Sequence, residues 1–222
     1  MQHYIYFMIS VTQTRFGYLI RKVGHNTYNH TSVILDDQFK EIYGFARSKH
    51  KLPFVGGLVK ENVDRFTLKR NVKVPVKIFR VPVNVVEYEG VRKIIKEIYE
   101  DEEYMYNLYS VLSFPLLQGF ETYKAYSCIE FIIHLLQYLQ FNIDKPAFQY
   151  KPDDLVELLK GYEYYTGDLV ELLPDSDPDL NYFEPINLGM VKENMVHFKR
   201  ITQRTFMNRK WYHDDQWSKW TL

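Results

Sequence analysis

The stretch Tyr126-Ser127-Cys128-Ile129-Glu130-Phe131-Ile132-Ile133 decides how the chain is read, because a polar stretch gives way there to an apolar run. Ile129, Ile132, Ile133, Leu135, Leu136 and Leu139 recur at helical intervals and cover most sides, which predicts a buried central helix from Cys128 to about Gln140. The only cysteine of the chain therefore stands at or near a helix N-terminus. Orphan N–H groups and the helix dipole favour thiolate over thiol at that place. A lone cysteine is also commonly just a small buried apolar residue, so the chemical reading needs a base. His30, in Tyr28-Asn29-His30-Thr31-Ser32-Val33-Ile34-Leu35, opens a strand-like run almost one hundred residues upstream. A His and a Cys that converge only in space are sufficient for acyl-transfer chemistry.

Working outward from the helix, residues 4–12 read as a strand and 15–23 as a short amphipathic helix or turn, with a loop at Gly24-His25-Asn26-Thr27. Residues 30–35 and 39–46 form a hairpin around Asp36-Asp37, because β-favouring residues flank a polar pair. Residues 48–57, with Pro53 and Gly56-Gly57, read as a loop. The Val-rich segment 72–86 contains Pro75 and Pro82, which predicts strands near an edge or interrupted by a bulge. Val91, Ile94, Ile95 and Ile98 at helical spacing place a helix over 88–100, and a second is expected over about 105–113. Another short helix starts at Asp153, behind Pro152.

Composition narrows the function. With 222 residues and 46% hydrophobic content the chain can bury one substantial core. Its 28 Lys and Arg balance 28 Asp and Glu, so no global charge points to nucleic acid. A single cysteine excludes an internal disulfide framework. The first twelve residues lack a basic leader and break their apolar run at Ser10 and Thr12, so they read as a buried strand and not as a signal peptide. No stretch is long enough for a transmembrane segment, and a cytoplasmic location is the expectation. There is no Gly-rich phosphate loop, HExxH or Cys-rich cluster, so neither a cofactor nor a metal is expected. His134, on the apolar helix, reads as a hydrogen-bonded core residue. The 19 Tyr and 15 Phe would suit an amphipathic surface, an acyl-binding groove or a Tyr-rich core alike.

Several segments together resemble a known family. They are residues 11–21 (Val-Thr-Gln-Thr-Arg-Phe-Gly-Tyr-Leu-Ile-Arg), 28–37 (Tyr-Asn-His-Thr-Ser-Val-Ile-Leu-Asp-Asp), 41–47 (Glu-Ile-Tyr-Gly-Phe-Ala-Arg), 53–61 (Pro-Phe-Val-Gly-Gly-Leu-Val-Lys-Glu), 126–131 (Tyr-Ser-Cys-Ile-Glu-Phe) and 150–155 (Tyr-Lys-Pro-Asp-Asp-Leu). In content and order they are similar to the circularly permuted papain-like hydrolases of the NlpC/P60 superfamily, in which a strand-borne His precedes a helix-borne Cys. The likeness covers about residues 4–172 and is nearest in plan to a bacterial branch, the YiiX-like amidases and the lecithin:retinol acyltransferase group. It implies an α+β fold of permuted papain-like type, with an antiparallel sheet packed on a central nucleophile-bearing helix. On this reading residues 1–173 form the hydrolase domain and 174–222 an extension.

The resemblance also implies roles. Cys128 is the nucleophile and His30 its base, cleaving an amide, thioester or ester bond, with acyl transfer as a variant of the same chemistry. The substrate is a small-molecule, peptide or lipid acyl compound. The oxyanion would be met by the Cys128 backbone N–H, with Tyr126 as a second candidate donor by proximity. In relatives the group that orients the imidazole lies on the strand after the His strand, here 39–45. A turn at Asp36-Asp37 pairs His30 with about Tyr43 and puts Glu41 on the same face, so Glu41 is the chosen third group and Tyr43 the alternative. His25, Asn26 and Asn29 lie in the loop that borders the cleft in the family, where Asn29 equally could shape the strand entry. The competing class is a binding or interaction module in which Cys128 and His30 are relics.

The last third changes character. Residues 153–187 carry ten acids against one Lys, and 189–222 carry seven Lys or Arg against three acids. Met190, Val191, Met195, Val196, Phe198, Ile201 and Phe206 recur at helix-like intervals, and Trp211, Trp217 and Trp220 follow. An amphipathic helix packed on the domain is expected. Packing on a second copy, as a homodimer, or peripheral membrane contact through this basic and aromatic block are the alternatives.

Overall fold

The computed structural model describes residues 2–173 and 179–207. Along the chain lie β1 (His3–Ser10), α1 (Arg15–Gly24), β2 (His30–Ile34), β3 (Ile42–Arg47), β4 (Gly56–Glu61), α2 (Val63–Thr67), β5 (Pro75–Val83) and α3 (Val85–Glu100). There follow β6 (Met105–Tyr106), α4 (Leu108–Leu117), β7 (Ala125–Tyr126), α5 (Cys128–Tyr138), α6 (Leu155–Leu158), β8 (Glu163–Asp168), α7 (Leu169–Leu172) and α8 (Leu188–Phe206). Six strands form one sheet in the order β4-β3-β2-β1-β5-β8, with every neighbouring pair antiparallel, while β6 and β7 make a short parallel pair. The class is α+β.

Period-two alternation divides the sheet into two buried faces. Ile5, Phe7, Ile9, Val33, Phe45 and Phe79 face the helices, where Val91, Ile94 and Ile98 of α3 and Phe131, Ile132 and Leu135 of α5 complete the larger core. On the other face Tyr6, Met8, Ile34, Ile42 and Ile78 pack under Phe66 and Leu169. With both faces covered, β1 reads as a nearly continuous apolar run. Helix α5 begins where it does because Ser127 Oγ accepts from the Glu130 N–H (3.3 Å) while Glu130 Oε2 accepts from the Ser127 N–H (2.6 Å). This reciprocal cap satisfies two groups that the first turn would otherwise bury unpaired.

Two expectations differ from the structure and a third agrees with it. The β2–β3 hairpin does not turn tightly at Asp36-Asp37. The Asp36 carboxylate accepts from the backbone N–H of Gln38, Lys40 and Glu41 at 3.2, 3.1 and 2.7 Å, and Phe39 takes a left-handed φ of 55°, so the loop is wider. Tyr43 consequently pairs with Val33 and not with His30. Secondly, Gly56-Gly57 is not a loop but the start of β4, an element that periodicity alone did not reveal. A Cβ on Gly56 would lie 2.5 Å from the Ala46 carbonyl oxygen, and one on Gly57 would lie 2.7 Å from that of Tyr104, so close backbone approach explains both glycines. The Val-rich segment forms β5, which lies next to the edge strand β8 and is interrupted by a bulge, as its prolines predict. Its register against β8 shifts between Ile78 and Phe79, and Pro82 lies beyond the β8 ladder, where its missing N–H costs no strand bond.

Helix α8 lies against the body. Met190 packs with Leu52 and Val55, Ile201 with Met105 and Ala125, and Asn194 Oδ1 accepts from the Phe54 N–H (3.1 Å). Its outer side presents Val191, Met195 and Val196 to solvent. The acidic block that precedes it forms ion pairs with the body, Arg65 to Asp179 (3.0 Å) and Lys49 to Glu184 (2.6 Å). Trp211, Trp217 and Trp220 lie outside the described residues. Among the described residues no helix is long and apolar enough to cross a membrane.

Ile201 is 1% exposed and Met195 is 58% exposed on the same helix. Ile201→Ala should therefore cost about 2–5 kcal/mol of unfolding free energy. Met195→Ser should stay within about 0.5 kcal/mol. Urea denaturation of the two variants measures both, and equal effects would mean that α8 is not held through its inner face.

Candidate active site

The first residue of α5 and the first residue of β2 meet. Cys128 is 7% exposed at the helix start, with its own N–H among the amides that the first turn leaves without a helical partner. The His30 ring places Nε2 at 2.8 and 3.1 Å from the two oxygens of Glu61, and the same imidazole is coupled electrostatically to the Cys128 sulfur. Ser32 Oγ–H donates to Glu61 Oε2 (2.6 Å) and holds the carboxylate.

Electrostatics follow from this line of three groups. Burial disfavours the His30 imidazolium, but the Glu61 carboxylate and the Cys128 sulfur outweigh it and raise its pKa to about 10. Burial likewise pushes the Cys128 thiol up, yet His30, with lesser help from Thr31 beside it, brings it below the usual thiol value. Glu61 is fully buried and still held below the ordinary carboxylate value by His30, Ser32 and Arg65. The favoured state is thiolate, imidazolium and carboxylate. Burial raises Glu130, the capping partner one turn along, to about 7, which weakens a negative charge that would oppose the thiolate.

Glu41 does not take the place expected for it. It forms an ion pair with Arg92 (2.7 Å) at the far end of β3, and Tyr43 faces Tyr99. The wider hairpin loop explains the displacement, since it moves Glu41 and Tyr43 away from His30. The carboxylate at the imidazole comes instead from β4, one strand further out, across Gly44 of β3. A Cβ on Gly44 would lie 2.6 Å from Glu61 Oε2 and 3.2 Å from His30 Nε2, so this glycine is the opening through which the two side chains touch. Glu61 closes the segment 53–61 that carried part of the family resemblance, and that was the available signal. It was missed because the two glycines before it read as a turn.

The surroundings are a cleft of two adjoining cavities. One, of about 120 Å³, is lined by Cys128 and mainly by apolar side chains, among them Ile20, Val111, Phe114, Ile129 and Phe148. The other, of about 60 Å³, is lined by His30, Glu61, Arg47, Arg65, Thr12 and Thr14. Tyr106 lines both, and burial together with the nearby sulfur raises its pKa well above the ordinary phenol value, so it stays an O–H donor. Tyr126, the donor expected by proximity, is instead buried between Tyr104, Phe45 and His134. Asn29 is engaged in shaping the strand entry, accepting from Thr12 N–H (2.9 Å) and Arg21 (3.0 Å) and donating to Thr12 Oγ1 (2.6 Å). Asn26 lines the apolar cavity, whereas His25 caps α1 in an exposed left-handed turn. His134 bonds Gln137 (2.9 Å), and burial lowers its pKa to about 4. Among the described residues no group of three His, Cys, Asp or Glu is placed to hold a metal. No protein-family model, curated protein or solved structure matches this chain.

Glu61→Gln should remove the charge that sustains the imidazolium and so raise the Cys128 pKa, and Gly44→Ala should act in the same direction by displacing the carboxylate. Glu41→Gln should leave the midpoint in place. A pH titration of thiolate absorbance distinguishes them, and equal midpoints in all three would remove Glu61 from the line.

Stability provides a second check. Between the ordinary values of 6.5 for His and 9.0 for Cys, the folded pair keeps its proton on the imidazole and the unfolded chain keeps one on sulfur. The proton count is then equal, and the pair adds no pH dependence in that window. In Cys128→Ala the balance is broken. His30, raised by Glu61, binds a proton in the folded state that the unfolded chain has lost, so the variant should lose stability relative to wild type as pH rises above 6.5. Melting temperatures of both proteins at pH 7 and pH 8.5 test the sign, and a constant difference would exclude the ion pair.

Proposed function

We propose that this protein is a cysteine hydrolase of the permuted papain-like type, cleaving an amide, thioester or ester bond, with acyl transfer available by the same route. The observation that carries the reading is the line Glu61–His30–Cys128, in which the imidazole is hydrogen-bonded to a buried carboxylate and coupled to a sulfur at a helix start. The His-before-Cys order and the antiparallel sheet beside the cysteine helix support the resemblance to the NlpC/P60 superfamily. The unit would end near residue 173, just after the strand β8 that completes the sheet, with residues 174–222 as an extension.

The reaction follows from the charges. The Cys128 thiolate attacks the carbonyl carbon, forming a C–S bond and a tetrahedral oxyanion. The oxyanion is met by the Cys128 N–H and, as a second donor, by the Tyr106 hydroxyl. Collapse breaks the bond to the leaving group, which takes the proton from His30. The now neutral imidazole accepts a proton from water or an acceptor alcohol as that oxygen attacks the thioester, and the thiolate leaves. Glu61 orients the ring and stabilises its charge throughout without being protonated.

Iodoacetamide should label Cys128 stoichiometrically at pH 6 in the wild type and far more slowly in His30→Ala. Cys128→Ser should lower turnover of an activated ester such as p-nitrophenyl acetate by at least about a thousandfold. A wild-type thiol that stays inert at pH 6 would instead favour a binding module in which the cysteine is only buried.

A further inference from the structure

The cleft has opposite polarity on the two sides of the reacting sulfur, and the chemistry assigns each side a part of the substrate. In the proposed reaction, on which this inference rests, His30 gives its proton to the leaving group. The leaving group must therefore lie on the His30 side, in the cavity with Thr12, Thr14, Arg47 and Arg65. The acyl remainder stays on the side of Cys128, in the cavity walled by Ile20, Val111, Phe114, Ile129 and Phe148.

Polar groups are few on that wall, and several of them already bond within the protein. Ser110 Oγ accepts from the Phe120 N–H (3.1 Å), Ser127 Oγ from the Glu130 N–H (3.3 Å), and Lys151 Nζ donates to the Gly24 carbonyl (3.3 Å). Asn29 is held by Thr12 and Arg21. A peptide in this cavity would bring more amides than this mainly apolar wall has partners for, at a cost of about 1–3 kcal/mol for each unsatisfied group. A hydrocarbon chain leaves nothing unpaired. The volume, about 120 Å³, takes several methylenes.

We infer that the Cys128-side cavity is an acyl-chain subsite, and that the substrate is an ester or thioester of an apolar acid of intermediate length with a polar alcohol or thiol. Turnover of p-nitrophenyl esters from acetate to decanoate reads this directly. kcat/KM should rise roughly three- to fourfold per added methylene until the cavity is filled, because each buried methylene is worth a nearly constant increment. Val111→Asp, which sets a charge in the wall, should flatten that rise. Binding of decanoate to Cys128→Ala, followed by calorimetry, needs no chemistry and keeps the two readings apart. Saturable binding of decanoate that is lost in the Cys128→Ala, Val111→Asp double variant supports the subsite even if no ester is turned over, in which case it is the hydrolase reading that fails. Turnover of the acetate ester with a flat or falling chain-length series, together with no decanoate binding, overturns the subsite and leaves the hydrolase reading standing.

Discussion

A helix can start inside a protein core only where its first N–H groups find acceptors, and the reciprocal Ser127–Glu130 cap meets that condition at the entrance of α5. Much else depends on it. The cap fixes Cys128 as the first helical residue, directs the following apolar side chains into the larger core, and sets Cys128 in the lining of the cleft. The same two residues thus serve folding and position the sulfur. A start one residue earlier or later would rotate the sulfur by about 100° around the helix axis.

The second constraint is the cost of buried charge. Glu61 and His30 are both almost inaccessible, and an isolated ion at either position would be strongly disfavoured. They persist because each neutralises the other, because Ser32 satisfies one carboxylate oxygen, and because the Arg65 charge adds to the field at Glu61. Arg65 is itself held by Asp179 and lies over the Tyr182 ring at 4.2 Å, so the segment that follows β8 and α7 contributes to the electrostatics of the site. This network leaves the imidazolium as the stable partner of the thiolate. It also confines polarity to one side of the cleft, and the opposite wall, built from α4, the start of α5 and the chain near Phe148, stays apolar.

Helix α8 shares neighbours with that wall. Phe206 and Thr202 contact Tyr109 of α4, the helix whose next residues line the apolar cavity. Helix α8 therefore braces an element of the site, and Tyr182, in the segment ahead of it, lines the cavity that holds His30 and Glu61. Its solvent-facing apolar residues are a property of the opposite side of the same helix.

The local signals were legible where neighbours in sequence settle the structure. The apolar periodicity of α5, the strand opened by His30, and the pairing of a helix-borne Cys with a strand-borne His all stand in the linear chain, as does the α+β class, because hydrophobic period and β-propensity are properties of short segments. The third member of the line did not stand there. Glu61 reaches His30 only because an Asp36-centred loop shifts the β2–β3 register, two close backbone approaches admit only Gly56 and Gly57 into β4, and Gly44 leaves room between the strands. Each of these is a contact between residues distant in sequence. Tyr106 and the opposite polarities of the two cavities have the same origin, since a side chain acquires a role in a cleft only after the elements on both sides have packed. The chain alone determined which residues could react. Packing decided which carboxylate holds the imidazole and what kind of group can lie beside the sulfur.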